Sequence, residues 1–293
     1  MADKTYRDRL LADIAKARTA MNRSQATEVG DREVAFDKSR PSGERTKAIF
    51  NLAMSVGTSK AVIMKVIGVL RDDQEPMPVR FAALNSLKVA AFASRTASSW
   101  GPSFRAALRK ISNGEPGDLF TAAVDTLAHN GDGNAFHIAE SGLRRPRSAK
   151  LKPYDAVRIL SYDDHGSHFD IMRKLAVKNR SLHVREAAIH ILASDPGSKD
   201  LLVDLVKDSR QPVRIRQAAL LALRALSPDD YRDQSAVIVG DESEHENLRA
   251  SAITAMRVDS NTSDEMGQRI EKLTRDSKSA LVRHAANLYT KDA

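Results

Sequence analysis

The chain has 293 residues, 42% of them hydrophobic, 29% charged and 5% aromatic, with one Trp and no Cys. The absence of Cys removes disulfides, thiolate metal sites and cysteine nucleophiles, and the scarcity of aromatics argues against a β-rich domain. A net charge of +8 and a pI near 9.7 permit nucleic acid, acidic protein or anionic lipid as partners and select none of them.

In chain order, residues 1–40 read as one or two helices forming an N-terminal cap. The opening "MADKTYRDRLLADIAKARTAM" carries charges throughout and lacks the unbroken apolar run of a secretion signal. The longest apolar stretch, "AVIMKVIGVL", is interrupted by Lys65 and is much too short to span a bilayer. These features predict a soluble, cytoplasmic protein with no membrane segment.

From residue 41 to residue 293 one pattern recurs. "GERTKAIFNL" sets Arg45 in an anchor slot, "PVRFAALNSL" sets Arg80, "DLFTAAVDTL" sets Phe120 and "LKPYDAVRIL" sets Pro153. "HVREAAIHIL", "RIRQAALLAL", "NLRASAITAM" and "LVRHAANLYT" then set Arg185, Arg216, Arg249 and Arg283. After each anchor, apolar and small residues recur at helical spacing, as in Val184, Ala187, Ala188, Ile191 and Leu192. A second apolar run precedes each anchor, for example "FDIMRKLAV" or "KDLLVDLV", and a short polar turn joins the two. Each unit is therefore a helical hairpin that cannot bury its apolar face alone and must stack on its neighbours. A Ser-rich insertion, "ASRTASSWGPS", lengthens the gap before Phe120.

The recurring turn Asp followed by Val-Arg and alanines resembles the HEAT-repeat family. The matching positions are Asp72 with Arg80, Asp208 with Arg214 or Arg216, Asp241 with Arg249 and Asp276 with Arg283, with Asn179 in the Asp slot before Arg185. The resemblance implies an all-α fold: a right-handed α-α superhelix of about eight hairpins, running as one continuous solenoid over 41–293 behind the 1–40 cap. It further implies that the anchor arginines pair with the turn Asp residues in a ladder along the array. Phe120 and Pro153 depart from the pattern.

The turns inside the hairpins are basic in the middle of the chain. They carry Arg109 and Lys110, then Arg144, Arg145, Arg147, Lys150 and Lys152, then Lys178 and Arg180, then Lys207 and Arg210. The densest piece, "RRPRSAKLKP", has two prolines and reads as a loop. Such a ridge suits a phosphate backbone or an acidic protein; base-stacking aromatics are missing from it. The concave face is expected from the residue after each anchor and the one four further on. This selects Phe81, Tyr154, Arg158, Glu186 and His190 as binding candidates, with Phe81 and Tyr154 as aromatic anchors.

Chemistry is thinly written. "DDHGSHFD" offers Asp163, Asp164, His165, His168 and Asp170 as oxygen and nitrogen ligands, but it lies where a polar turn is expected, so no metal is assigned. There is no Gly-rich phosphate loop and no Gly-x-Ser-x-Gly elbow. Two enzyme-associated families resemble the chain in repeat type: phycobilin chromophore lyase subunits and DNA alkylation-repair glycosylases. The first resemblance lacks the frequent Leu-Gly repeat ending. The second implies a Trp-lined basic channel and a catalytic Asp, for which only Trp100 and Asp125 are available. The expected function is a non-catalytic scaffold, with no cofactor, that binds a protein partner through its curved surface and basic ridge. The alternatives are a nucleic-acid binder using the same ridge, or a repeat-type enzyme or enzyme subunit of the glycosylase-like or chromophore-lyase-like kind.

Overall fold

A computed structural model describes residues 29–54, 59–93, 97–163, 168–257 and 263–292. Among these residues the chain is all-helical, with no strand, and no helix is long and apolar enough to cross a membrane. It divides into two compact units, one ending at Ala135 and the other beginning at Phe136.

Unit 1 contains α1 (29–36), α2 (Ser42–Met54), α3 (Lys60–Arg71), α4 (Met77–Ala93), α5 (Ala97–Ser112) and α6 (Asp118–His129). Helices α3 and α4 pair as one hairpin and α5 and α6 as the next. Successive second helices also touch, α2 against α4 and α4 against α6. The alanines after each anchor make this possible: Ala82, Ala83 and Ala123 are buried and present only a methyl to the neighbouring helix.

Where it is described, the Ser-rich insertion is helical. Residues 97–112 form α5, with Trp100, Phe104, Ala107, Leu108 and Ile111 buried. Their spacing marks one apolar helix face, which outweighs the poor helix propensities of Ser, Gly and Pro102. Trp100 stacks tilted on Phe104, with ring centroids 6.1 Å apart.

Unit 2 contains most of α7 (Gly133–Arg144), then α8 (Pro153–Leu160), α9 (Phe169–Lys178), α10 (Leu182–Leu192), α11 (Lys199–Lys207), α12 (Val213–Leu226), α13 (Pro228–Gly240), α14 (Glu246–Met256), α15 (Asp264–Asp276) and α16 (Ala280–Asp292). The hairpins are α9 with α10, α11 with α12, α13 with α14 and α15 with α16. The second helices form a continuous row from α8 through α10, α12 and α14 to α16. "RRPRSAKLKP" is a loop with one 3-10 turn, Pro146–Ser148, and Pro153 opens α8 at its first residue.

The six anchor arginines share one position and one task. Each is the fourth residue of its second helix. Five of them donate to a backbone carbonyl in the last turns of the preceding first helix. Arg45 Nε reaches Ala35 O at 3.2 Å, Arg80 Nε Leu70 O at 3.1 Å, Arg185 Nε Ala176 O at 2.7 Å and Arg216 Nε Val206 O at 2.7 Å. Arg249 uses an Nη on Val239 O at 3.0 Å. Arg283 instead reaches Ser277 O at 2.6 Å. A cation at a helix C-terminus satisfies an orphan carbonyl and meets the negative end of the helix dipole.

The implied ladder from Arg to turn Asp is corrected in detail. The turn Asp closes its own turn: Asp72, Asp208 and Asp241 each accept the backbone N–H two residues on, from Gln74, Arg210 and Ser243, and Asp72 also accepts from Lys38 at 2.7 Å. Asn179 does the same for Ser181. A short carboxylate or amide side chain closes its own turn with the N–H two residues on. The outer guanidinium nitrogens reach instead for the side chain five residues ahead of the next anchor. Arg45 is bidentate to Glu75 at 2.7 and 2.9 Å, and Arg216 to Glu244 at 2.8 and 2.5 Å. Arg185 reaches Gln211 at 2.6 Å. Arg80 turns back to Asp73 of its own turn at 2.9 Å, because the following repeat is longer and carries Phe120 in place of Arg.

Candidate binding surface

In unit 2 the row of second helices carries two open grooves. The first, about 560 Å³, lies between α8 and α10 and is lined by Tyr154, Val157, Arg158, Leu160, Ser161, Asp163, Phe169, Ala187, His190, Ile191 and Ser194. Val157 and Leu160 are buried and form its floor, while Tyr154 stands 48% exposed at the start of α8. The second, about 530 Å³, lies between α12 and α14 and includes Gln217, Leu221, Arg224, Thr254 and Leu281. Gln217 bridges its walls, donating to Ser251 Oγ at 2.7 Å and to Asn247 O at 3.1 Å.

The sequence-selected concave residues divide accordingly. Tyr154, Arg158 and His190 are brought together in the first groove. Glu186 on α10 is tied to Arg214 of α12 at 2.5 Å, so its carboxylate is already engaged. Phe81 lies on α4 in unit 1 and is half-buried. Ser161, Phe169 and Ser194 line the groove without having been singled out. They sit at or just beyond helix ends, where the one-and-five offset from the anchor does not reach.

Arg158 is half-exposed, 3.9 Å from Asp155 one helical turn back. His190 is exposed. The one carboxylate of the lining, Asp163, is 6% exposed and paired with His168 at 2.9 Å. Behind it Glu140 lies 3.7 Å from His168 and accepts from Arg144 at 2.8 Å, and Arg144 also reaches Asp170 at 3.3 Å. Hydrogen bonding to Glu140 holds the Arg144 guanidinium above its usual range. The described part of "DDHGSHFD" is thus used in protein contacts. Asp164 and His165 lie outside the described residues. Among the described residues no group of three His, Asp or Glu side chains converges as a metal site requires.

The basic-turn residues also divide. In unit 1, Arg109 pairs with buried Asp132 at 2.9 Å, and Lys110 with Asp73 at 3.0 Å. In unit 2, Arg144 is paired as above, and Arg210 holds Asp208 at 2.9 Å. Asp208 is drawn down to about 2 by the Arg210 guanidinium, the Gln211 amide and the Arg210 backbone N–H. Arg145, Arg147, Lys152, Lys178 and Arg180 are exposed and have no ion-pair partner among the described residues. Lys150 is exposed in the same loop. These cations sit in the turns that lead into α8 and α10, at the N-terminal ends of the two helices that wall the first groove.

No family model matches the chain, and no curated protein matches it. Among solved structures, human deoxyhypusine hydroxylase in complex with glycerol aligns with 79% of this chain and 96% of that chain, at 14% sequence identity and a TM-score of 0.34.

Proposed function

We propose that this chain is a HEAT-like repeat scaffold, without catalysis of its own, that binds a protein partner on the second-helix face of unit 2. One observation carries the reading: the α8/α10 groove combines an exposed aromatic, Tyr154, and an apolar floor with neighbouring turns that carry exposed cations without an ion-pair partner among the described residues. Aromatic and arginine side chains over an apolar pocket are the usual source of interface affinity. The unpaired cations add long-range steering toward an acidic surface.

Affinity capture with the wild-type chain and with Tyr154→Ala, followed by titration of the purified captured protein, tests the proposal. The wild type retains a specific partner, and Tyr154→Ala weakens it about tenfold. Equal binding by the two proteins contradicts the proposal.

Five exposed turn cations, Arg145, Arg147, Lys152, Lys178 and Arg180, none with an ion-pair partner among the described residues, also favour a second reading, contact with a nucleic-acid backbone. That reading requires affinity for labelled duplex DNA or RNA that falls steeply with salt and vanishes when Arg145, Arg147 and Lys152 are changed to Glu. Arg144 is omitted from that set because Glu140 and Asp170 already neutralise it.

A further inference from the structure

Two turns of unit 2 share an edge. Asp163, just beyond the end of α8, pairs with His168 at the start of α9. Helices α9 and α10 form an antiparallel hairpin, so α8 and α10 run the same way and their first residues lie on the same side of the unit. The turns on this side are 145–152, ahead of α8, and 179–181, ahead of α10.

The turn ahead of α10 differs from its counterparts. Its closing side chain is the neutral Asn179, where the others carry Asp72, Asp208 and Asp241. Three residues further on, the others place Glu75, Gln211 and Glu244, each engaged by the preceding anchor arginine. Here that position is Leu182, because the preceding anchor is Pro153 and needs no acceptor. The residue after the carbonyl that accepts from the anchor is Arg71, Lys207 or Gly240 elsewhere and Val177 here. Val177 is 43% and Leu182 38% exposed, so two aliphatic side chains flank the exposed cations Lys178 and Arg180.

The turn ahead of α8 adds exposed Arg145, Arg147 and Lys152. Neither turn contains a carboxylate, and the first acids along the two second helices, Asp155 and Glu186, face Arg158 and Arg214. Cations beside protruding aliphatic side chains match the surface of an anionic bilayer: the cations meet the headgroups and the apolar tips enter the headgroup–acyl boundary. A nucleic-acid backbone rewards the cations but offers aliphatic tips nothing to enter.

We infer that this edge of unit 2 docks peripherally on an anionic lipid bilayer, with Arg145, Arg147, Lys152, Lys178 and Arg180 against the headgroups and Val177 and Leu182 inserted beside them. The contact uses the turns, not the lining of the α8/α10 groove, and does not depend on a partner bound there.

The test is cosedimentation of the full chain with phosphatidylcholine vesicles containing about 30% phosphatidylserine, and with phosphatidylcholine alone. Binding is expected with the anionic vesicles only. It should weaken about thirtyfold in Lys178→Glu/Arg180→Glu and about tenfold in Val177→Ser/Leu182→Ser. Lys178→Gln/Arg180→Gln should give a smaller loss in the same direction. All four side chains are exposed, and circular dichroism melts matching the wild type establish that the variants are folded. No sedimentation with the anionic vesicles at low salt, or equal sedimentation with phosphatidylcholine alone, overturns the inference. Full affinity in Val177→Ser/Leu182→Ser also overturns it, because charge alone then accounts for the binding. Duplex DNA that binds more tightly than the vesicles, and equally well to Val177→Ser/Leu182→Ser, assigns the edge to a nucleic-acid backbone instead. Each of these results leaves partner binding at the groove standing.

Discussion

Arg216 and Glu244 are joined by two hydrogen bonds of 2.8 and 2.5 Å between consecutive hairpins, while the same guanidinium donates its Nε to Val206 O at 2.7 Å. One side chain therefore closes the end of α11, starts α12 and fastens the turn before α14. Arg216 is 5% exposed, so its desolvation is offset only while all three contacts are made. Burial raises the Glu244 carboxyl, but the Arg216 guanidinium and the His245 backbone N–H outweigh this and hold it below its usual range. Arg216→Ala is expected to cost about 3 kcal/mol and Glu244→Gln about 1–2 kcal/mol. A double-mutant cycle by urea denaturation should return a coupling of about 1 kcal/mol or more. Additive effects would remove the cross-hairpin pair from the account.

The series of pairs ends one step later. The side chain five positions ahead of Arg283 is Lys278, and Arg249 Nε is buried with no partner among the described residues. Supplying the missing acceptor as Lys278→Glu removes a like charge and offers Arg249 a carboxylate. The expected gain is about 1 kcal/mol, seen as a rise of about 2–4 °C in Tm. An unchanged or lower Tm would show that the last turn cannot bring position 278 to Arg249.

Acid should loosen the turns before it affects the apolar core. Asp208 is held at about 2, and Asp72 and Asp241 also lie below the usual carboxylate range, through hydrogen bonds from Lys38 and Ser243 respectively. A carboxyl with a lowered folded-state pKa binds its proton more readily when unfolded. Its stabilisation is complete above the unfolded value of 3.8 and is lost as pH falls toward the folded value of about 2. Tm is therefore expected to fall progressively between about pH 4 and pH 2, and Asp208→Asn should flatten part of that slope. A Tm independent of pH across the window would contradict these assignments.

The unpaired cations of unit 2 should govern encounter, not folding. Arg145 and Arg147 are exposed and make no ion pair among the described residues, so Arg145→Glu/Arg147→Glu should shift stability by under ~0.5 kcal/mol. Stopped-flow association with the captured partner should slow about tenfold at low salt and much less at high salt. A loss confined to the dissociation rate would place these residues inside the contact instead of beside it.

Much of this was legible from residue spacing. The 3.6-residue periodicity and the recurring Arg identified the hairpins, because a buried cation at the fourth helical position leaves the same local signature each time. The one-and-five offset from the anchor selected Tyr154, Arg158 and His190, which line one groove because the offset follows a single face of the second helix. The partner of each arginine was not legible. A turn Asp and an acid three residues later look equally available in sequence, and only the stacking of one hairpin on the next decides which is reached. Glu186 was selected as exposed but is engaged by Arg214, a contact between successive helices that no single-helix pattern contains. Residues 97–112 were obscured by composition, since Ser, Gly and Pro hide an apolar stripe that Trp100 and Phe104 nonetheless bury.

The most direct measurement is hydrogen–deuterium exchange on the chain, free and saturated with the purified captured partner. The account predicts protection concentrated in peptides covering α8 and α10, residues 153–160 and 182–192. Protection confined to the turns at 145–152 and 178–181, or located in unit 1, would contradict it.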